Sequence, residues 1–401
     1  MSTADNVWGA LVGQGRAVDT LQRAVEAAQR MPHGLVPGAD GNAMTHAWLF
    51  TGPPGSGRSV AARAFAAALL CGSGGCGVCN SCRTVASGAN PDVVICRTEQ
   101  KIIPVDQVRE LTSKAAMSPM TGRWQVIIIE DADRIEERSS GALLKSLEEP
   151  PPRTIWILCA PTAEDMMATI RSRTREVRLV TPSEADIVEL LVHHYGAAPD
   201  IAEEAARAAQ GHIGRAKALA SDQAARDARQ RIVDLPGSWT SLAACLTTAA
   251  DVAASAQAQA EAQTAELDQQ ERRELDQALG FSTKGAKPRN AATAITALED
   301  QQKARAKRLQ RDAIDNVLTE LSTWYRDVLC IQMGASENTL INGAISQRLR
   351  EAAAATTAEQ TTGCLEAILT TRRALDTNVA PLLALEALFA DLMGRGTAKP
   401  L

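Results

Sequence analysis

Aromatic side chains are scarce in this 401-residue sequence: four Phe, six Trp and two Tyr. Alanine is abundant instead, a composition that favours helix. There is no apolar run long enough to span a bilayer, which excludes a helical membrane anchor. The opening MSTADNVWGALVGQ has no basic segment followed by an apolar core, so no secretory signal is expected and the chain is read as cytoplasmic. Nor is there an excess of basic residues. A net charge of −5 argues against bulk electrostatic capture of nucleic acid, though not against a local basic face. The five histidines, His33, His46, His193, His194 and His212, are too dispersed to suggest catalysis. No internal repeat is present. A chain of this length is too long for one ordinary core, so two or three domains are expected.

What is present begins with strands. Trp48 to Phe50 is a short apolar run, PDVVICRT (Pro91 to Thr98) is a further strand candidate, and WQVIIIEDADRI (Trp124 to Ile135) and TIWILCAP (Thr154 to Pro161) carry β-branched or apolar runs of the buried type. Helical text separates them, so residues 40–180 read as an α/β domain with a parallel sheet. Thr181 is read as an N-cap, with Pro182 in the first helical position and Glu184 three residues on. From there the text is almost wholly helical, with 182–225 as a small helical domain. The stretch AASAQAQAEAQTAELDQQERRELDQAL suits a long solvated helix, and GFSTKGAKPRN after it a loop. An amphipathic face carries Leu318, Leu321, Tyr325 and Val328. The last helix should begin near Pro381 and bury Leu382, Leu385, Phe389 and Leu392.

CGSGGCGVCNSC places Cys71, Cys76, Cys79 and Cys82 at spacing C-x4-C-x2-C-x2-C. In a glycine-rich loop without disulfide chemistry, four such thiolates fit a tetrahedral zinc site. An iron–sulfur cluster is the competing ligand set, and four unligated thiols the bland one. Four sulfur ligands leave zinc no open position, so a zinc here is structural. Cys96, Cys159, Cys245, Cys330 and Cys364 are scattered in apolar text and read as core residues.

GPPGSGRS, Gly52 to Ser59, follows a strand and opens a helix, the context a phosphate loop requires. Gly52, Gly55 and Gly57 supply the turn and Ser59 the hydroxyl for Mg2+. Arg58 stands where a hydrolysing loop carries lysine. A wide planar fork does not replace a compact ammonium at a tight phosphate site, although Arg58 could also simply turn outward or pair with an acid. The strand WQVIII ends in Glu130-Asp131, the reverse of the usual aspartate-glutamate order. One methylene moves a carboxylate by about 1.5 Å, and a misplacement of that order costs about a hundredfold in rate. A changed rotamer could instead let either acid hold Mg2+. No second acidic cluster accompanies the pair, which excludes a two-metal polymerase or nuclease centre.

These motifs together resemble the clamp-loader branch of the AAA+ proteins, and within it the delta-prime family of bacterial DNA polymerase III. Val12-Gly13-Gln14 resembles the N-terminal box beside the adenine pocket. The loop and the cysteine module stand at the family's positions. ALLKSLEEPP, Ala142 to Pro151, is characteristic of clamp-loader subunits. ATIRSRT, Ala168 to Thr174, resembles the Ser-Arg-Cys motif, with Thr174 in place of cysteine. GHIGRA places Arg215 at the second sensor. NVAPLLALEALF, Asn378 to Phe389, resembles the last collar helix. The likeness covers almost the whole chain and is weakest over 240–310.

The resemblance implies a RecA-like AAA+ P-loop domain with an inserted zinc module (1–180), a small helical lid (181–235) and an all-α collar (236–401). It implies partners: gamma/tau and delta subunits in a hetero-pentameric ring, the sliding clamp, and primer–template DNA reached through the assembly. No membrane is involved. It also implies that the chain's own site holds ATP and Mg2+ weakly or not at all. The first-sensor position holds Ala160 and Pro161, with Thr162 as the nearest hydroxyl, so a third hydrolysis element is altered. Ser172-Arg173 is intact. Arg173 is therefore expected to act in trans as an arginine finger on a neighbour's ATP, against the alternative of a structural arginine paired with an acid such as Glu176. Two other functions stay open: an active gamma/tau-like ATPase, and a zinc-containing replication scaffold with no role at any ATP site.

Overall fold

The computed structural model describes residues 6–31, 43–98, 102–239, 241–278, 291–377 and 379–396. The chain divides into two compact units, residues 1–222 and 223–401. His33 and the whole of the 280–290 loop fall outside the described residues, as does Asn378. Among the described residues no helix is long and apolar enough to cross a membrane.

The first unit is built on a five-stranded sheet in the order β2-β3-β4-β1-β5. Its strands are β1 (Ala47–Thr51), β2 (Val93–Cys96), β3 (Gln125–Ile129), β4 (Thr154–Ala160) and β5 (Arg175–Arg178). Every pairing is parallel: Leu49 faces Leu158 and Glu176, and Ile128 faces Ile95 and Ile157. The continuous apolar runs arise because both faces are covered. Trp48, Phe50, Val126, Ile128, Ile155 and Ile157 pack on one side with α1 (Gly15–Gln29) and α2 (Arg58–Leu70). Leu49, Ile127, Ile129, Trp156 and Leu158 pack on the other with α4 (Val105–Ala115) and α5 (Glu137–Glu148). α3 (Asn80–Ser87) joins the first of these layers through Cys82 and Val85, and α6 (Ala168–Arg171) the second through Ile170. The parallel order puts all carboxyl-terminal strand ends on one edge, where ligands of open α/β sheets bind.

Three helices complete the unit: α7 (Glu184–Tyr195), α8 (Pro199–Ala209) and α9 (Ile213–Ser221). The cap of α7 corrects the sequence reading. It is Ser183, not Thr181: the Ser183 hydroxyl accepts from Asp186 N at 3.1 Å while the Asp186 carboxylate accepts from Ser183 N at 3.1 Å. This reciprocal box satisfies two backbone donors that a cap two residues earlier would leave open.

One buried carboxylate pins the sheet's outer edge. Asp92 is fully buried before β2 and accepts from the backbone of Met120, Thr121 and Gly122 and from the Thr121 hydroxyl at 2.7 Å. Burial alone would raise its pKa, but these four donors outweigh it and hold the carboxyl below its ordinary value. The folded value lies below the unfolded one, so the stabilisation is complete above about pH 4 and is lost as pH falls through the folded value. Asp92→Asn is expected to cost about 2 kcal/mol at pH 7, since hydrogen bonds to a charged group each contribute ~1.5–3 kcal/mol. Urea unfolding across pH 3–7 should show the variant with a flatter acid limb; parallel curves would refute the assignment.

The second unit is helical: α10 (Gln223–Val233), α11 (Leu242–Ala278), α12 (Ala291–Gln332), α13 (Ser346–Ala355), α14 (Ala358–Asp376) and α15 (Pro381–Gly396). Leu318, Leu321, Tyr325 and Val328 are buried against Ile368, Leu385, Phe389 and Leu392, and Trp239 stacks on Phe389 with ring centroids 5.0 Å apart. Leu382 departs from the expected face and is exposed, while Leu388 is buried. At the first turn of α15 the stripe has not yet reached the core, and the buried spacing runs 385, 388, 389, 392. The polar stretch forms most of α11. There Arg305 of α12 is nearly buried and spans Asp268 (2.6 Å) and Glu271 (2.5 Å), fixing the register of the two long helices.

Candidate functional site

The loop between β1 and α2 is closed on itself. Gly52 N donates to Pro161 O (3.0 Å) and Ser56 N to Pro53 O (3.1 Å). Gly55 has φ +83°, and a Cβ there would stand 2.8 Å from the His212 ring. A Cβ at Gly52 would meet Ser56 Oγ at 2.6 Å. Glycine is thus required at both by close approach. Gly57, at φ +89°, caps α2.

Arg58 does not turn outward: its Nη1 donates to the Gly52 carbonyl at the foot of the same loop, and its charge acts on Asp133. Ser59 lies one residue into α2 and is partly buried. His212 caps α9, its Nδ1 accepting from Arg215 N at 3.2 Å. That bond places the ring proton on Nε2. The residue is exposed overall, yet burial against the loop pushes its pKa down, so a neutral imidazole lies over Gly55. The sequence reading set His212 aside with the other dispersed histidines. Its place inside GHIGRA, beside Arg215, was the available signal.

Gln14 is buried and ties the amino-terminal segment to this region. Its amide donates to Val180 O (2.7 Å) and accepts from Val180 N (3.0 Å), and it reaches Ser56 O at 3.5 Å. Val12 is partly buried. Gly13 lies against α7, where a Cβ would meet Asp186 Oδ2 at 2.9 Å.

At the end of β3 the two acids diverge. Glu130 is buried and held by Arg63 of α2 at 2.8 Å and Arg97 at 3.5 Å. Asp131 approaches Arg134 at 3.9 Å. Burial, then Asp131, raises the pKa of Asp133 beside them. After β4, Thr162 donates through its hydroxyl to Asp165 at 2.8 Å.

Arg173 follows α6 and keeps 36% of its side chain exposed. Its Nη1 donates to Thr169 O (2.8 Å) and Ser172 Oγ (3.2 Å), and its Nη2 pairs with Glu148 Oε1 at 2.5 Å. Glu176, the acid anticipated from sequence, is engaged elsewhere: it accepts from Thr51 Oγ1 at 2.6 Å. Ser172 donates to Thr169 O at 3.1 Å and braces the same turn.

The four cysteines converge. Cys71 ends α2, Cys79 caps α3, and the four sulfurs lie within 4.8 Å of one another. Cys71 Sγ is 3.6 Å from Cys76 Sγ and 3.7 Å from Cys79 Sγ. Zn–S bonds of about 2.3 Å in a tetrahedron demand S–S edges of about 3.8 Å. Backbone N–H groups of Ser73, Cys76, Cys79 and Cys82 point at these sulfurs at 3.4–3.5 Å, the donor set that stabilises thiolate. Burial raises the Cys71 pKa, but the N–H donors of Cys76, Gly75 and Ser73 bring it down to about 6. Burial pushes Cys82 up. The cluster therefore fits a metal ion. Trp8 Nε1 donates to Gly74 O at 3.1 Å and Val7 N to Gly75 O at 3.0 Å, fastening the loop to the domain. Of the other cysteines, Cys96, Cys159, Cys245 and Cys364 are buried, and Cys330 is partly so.

A parallel sheet with a glycine loop leading from β1 into α2 defines a P-loop α/β domain, here joined to a helical carboxyl-terminal region. Comparison with known proteins refines this class. Residues 29–183 match the family described as DNA polymerase III, delta subunit. The chain is 32% identical over 195 residues to DNA polymerase III subunit delta' of Pseudomonas aeruginosa, covering 47% of this chain and 60% of that protein. It is 34% identical over 180 residues to the Escherichia coli subunit delta', covering 43% and 54%. It is 36% identical over 150 residues to subunit gamma/tau of Mycobacterium tuberculosis, covering 36% and 26%. The matched stretch thus spans 60% or less of each of these relatives. Through this region the chain is similar to DNA polymerase III clamp-loader subunits, in line with the sequence resemblance.

Proposed function

We propose that this chain is the stator, delta-prime-type subunit of a DNA polymerase III clamp loader. It works in a hetero-pentameric ring with gamma/tau and delta subunits and helps place a sliding clamp on primer–template DNA. Residues 1–180 serve as the AAA+ domain, 181–235 as lid and 236–401 as collar. Cys71, Cys76, Cys79 and Cys82 hold one structural zinc. Arg173 acts on the neighbouring subunit's ATP.

The observation that carries this reading is a contrast between two arginines. Arg58 is folded onto the carbonyl of its own loop, with His212 against Gly55. Arg173 is half-exposed and oriented by three partners. The first arrangement favours loss of nucleotide binding at this chain's own loop. The second suits a guanidinium presented to another molecule. When ATP and Mg2+ occupy the neighbouring site they supply the bond to be broken. This chain's part is to place a cation where charge develops on the transferred phosphoryl group.

The 36% identity to a gamma/tau subunit supports a second reading, an ATPase in its own right. The two differ in a simple titration. The isolated chain is expected to bind a fluorescent ATP analogue no tighter than about 1 mM, an affinity of ~4 kcal/mol. Micromolar binding abolished by Arg58→Ala would favour the second reading. The trans role is tested by Arg173→Ala in the reconstituted loader. ATP turnover stimulated by clamp and primed DNA should fall, and unchanged turnover would leave a scaffold.

A further inference from the structure

Glu148 is the last residue of α5, in the run ahead of Pro150 to Pro152. Its carboxylate meets Arg173 Nη2 at 2.5 Å, across 25 residues of chain that include β4. The partners keep 36% and 50% of their side chains in solvent. An ion pair this exposed contributes little to stability, because water screens it and two long side chains must be ordered to form it. It does something else. With Nη1 on Thr169 O and Ser172 Oγ, the contact to Glu148 gives the planar fork a third point of attachment on a different face. Thr169 lies in α6 and Ser172 caps its end, so both belong to the same turn as Arg173. Glu148 belongs to α5, which is packed on the sheet through Leu143 and Leu147. Among the described residues, Glu148 is the partner that ties the guanidinium to the sheet-packed helix α5.

We infer that Glu148 is a positioning residue for Arg173, holding its guanidinium in one orientation before it meets a neighbouring subunit's ATP. The inference rests on the trans role proposed for Arg173. An unpaired arginine keeps its charge but spreads over many rotamers, so part of the ordering must then occur at the transition state. The carboxylate does that ordering in advance.

The test is a double-mutant cycle in the reconstituted loader, reading ATP turnover with clamp and primed DNA, each variant first shown to assemble. Glu148→Ala should lower kcat about tenfold and leave KM for ATP within about twofold, since a misplacement near 1 Å costs up to ~100-fold. Its thermal midpoint should match that of the normal chain. Glu148→Gln keeps an acceptor oxygen and should recover part of the rate. In the Arg173→Ala background, Glu148→Ala should change nothing further. Normal turnover in Glu148→Ala while Arg173→Ala is impaired overturns the positioning role and leaves the trans role standing. An equal loss from Glu148→Ala in both backgrounds also overturns it, because Glu148 then acts on something other than Arg173. An Arg173→Ala variant with normal turnover removes the parent reading itself.

Discussion

Arg173→Ala should reduce clamp- and DNA-stimulated ATP turnover of the assembled loader by at least about tenfold, 1.4 kcal/mol in barrier. Arginine fingers in GTPase systems contribute roughly 10³–10⁵ in rate, which sets the upper end. The loss should fall on kcat, because in the proposed trans role the guanidinium meets charge that develops only as the phosphoryl group moves. Instability is a poor alternative explanation. The pair with Glu148 is exposed, and such pairs contribute about 0–1 kcal/mol. Arg173→Lys is the sharper control. Lysine restores the charge but presents no planar fork to Thr169 O, Ser172 Oγ and Glu148 together, so it should recover only a minor part of the rate. Full recovery by lysine would mean that charge alone suffices and that the three-point hold is incidental.

The second large effect concerns the cysteines. Purified protein should carry one zinc per chain by elemental analysis, and Cys79→Ser should lose it. Zinc-finger peptides gain about 10–16 kcal/mol from the metal, and that is a ceiling here. The loop at 72–79 is also fastened through Trp8 and Val7, and Cys71 and Cys82 anchor it in two helices. A loss of ~3–5 kcal/mol is the reasonable expectation, near that of breaking a buried cross-link. It corresponds to a fall of about 10 °C or more in thermal midpoint for a unit of this size. Metal retention should weaken on acidification, since protons compete for the thiolates. Visible charge-transfer absorption would identify an iron–sulfur cluster in place of zinc. A metal-free protein with an unchanged midpoint in Cys79→Ser would end the structural-metal reading.

Local text determined a good deal of this protein. WQVIIIEDADRI and TIWILCAP were legible as buried strands, because uninterrupted β-branched and apolar runs need cover on both faces. The cysteine spacing already put four thiols within twelve residues of chain. The glycines of GPPGSGRS already required a tight turn into a helix. These are statements about neighbours in sequence, and short-range geometry enforces them.

Tertiary structure decided what lay across the fold. It chose Ser183 over Thr181 as the cap, since the reciprocal bonds to Asp186 can form only there. It turned Leu382 to solvent, because one residue of phase decides which side of α15 meets the core. It paired Arg173 with Glu148 and gave Glu176 to Thr51, although Glu176 is the nearer in sequence. It laid His212 on Gly55, 157 positions away, and folded Arg58 onto Gly52. Long polar side chains choose partners by distance in space, and that distance is set only when the sheet order and the packing of helices are complete.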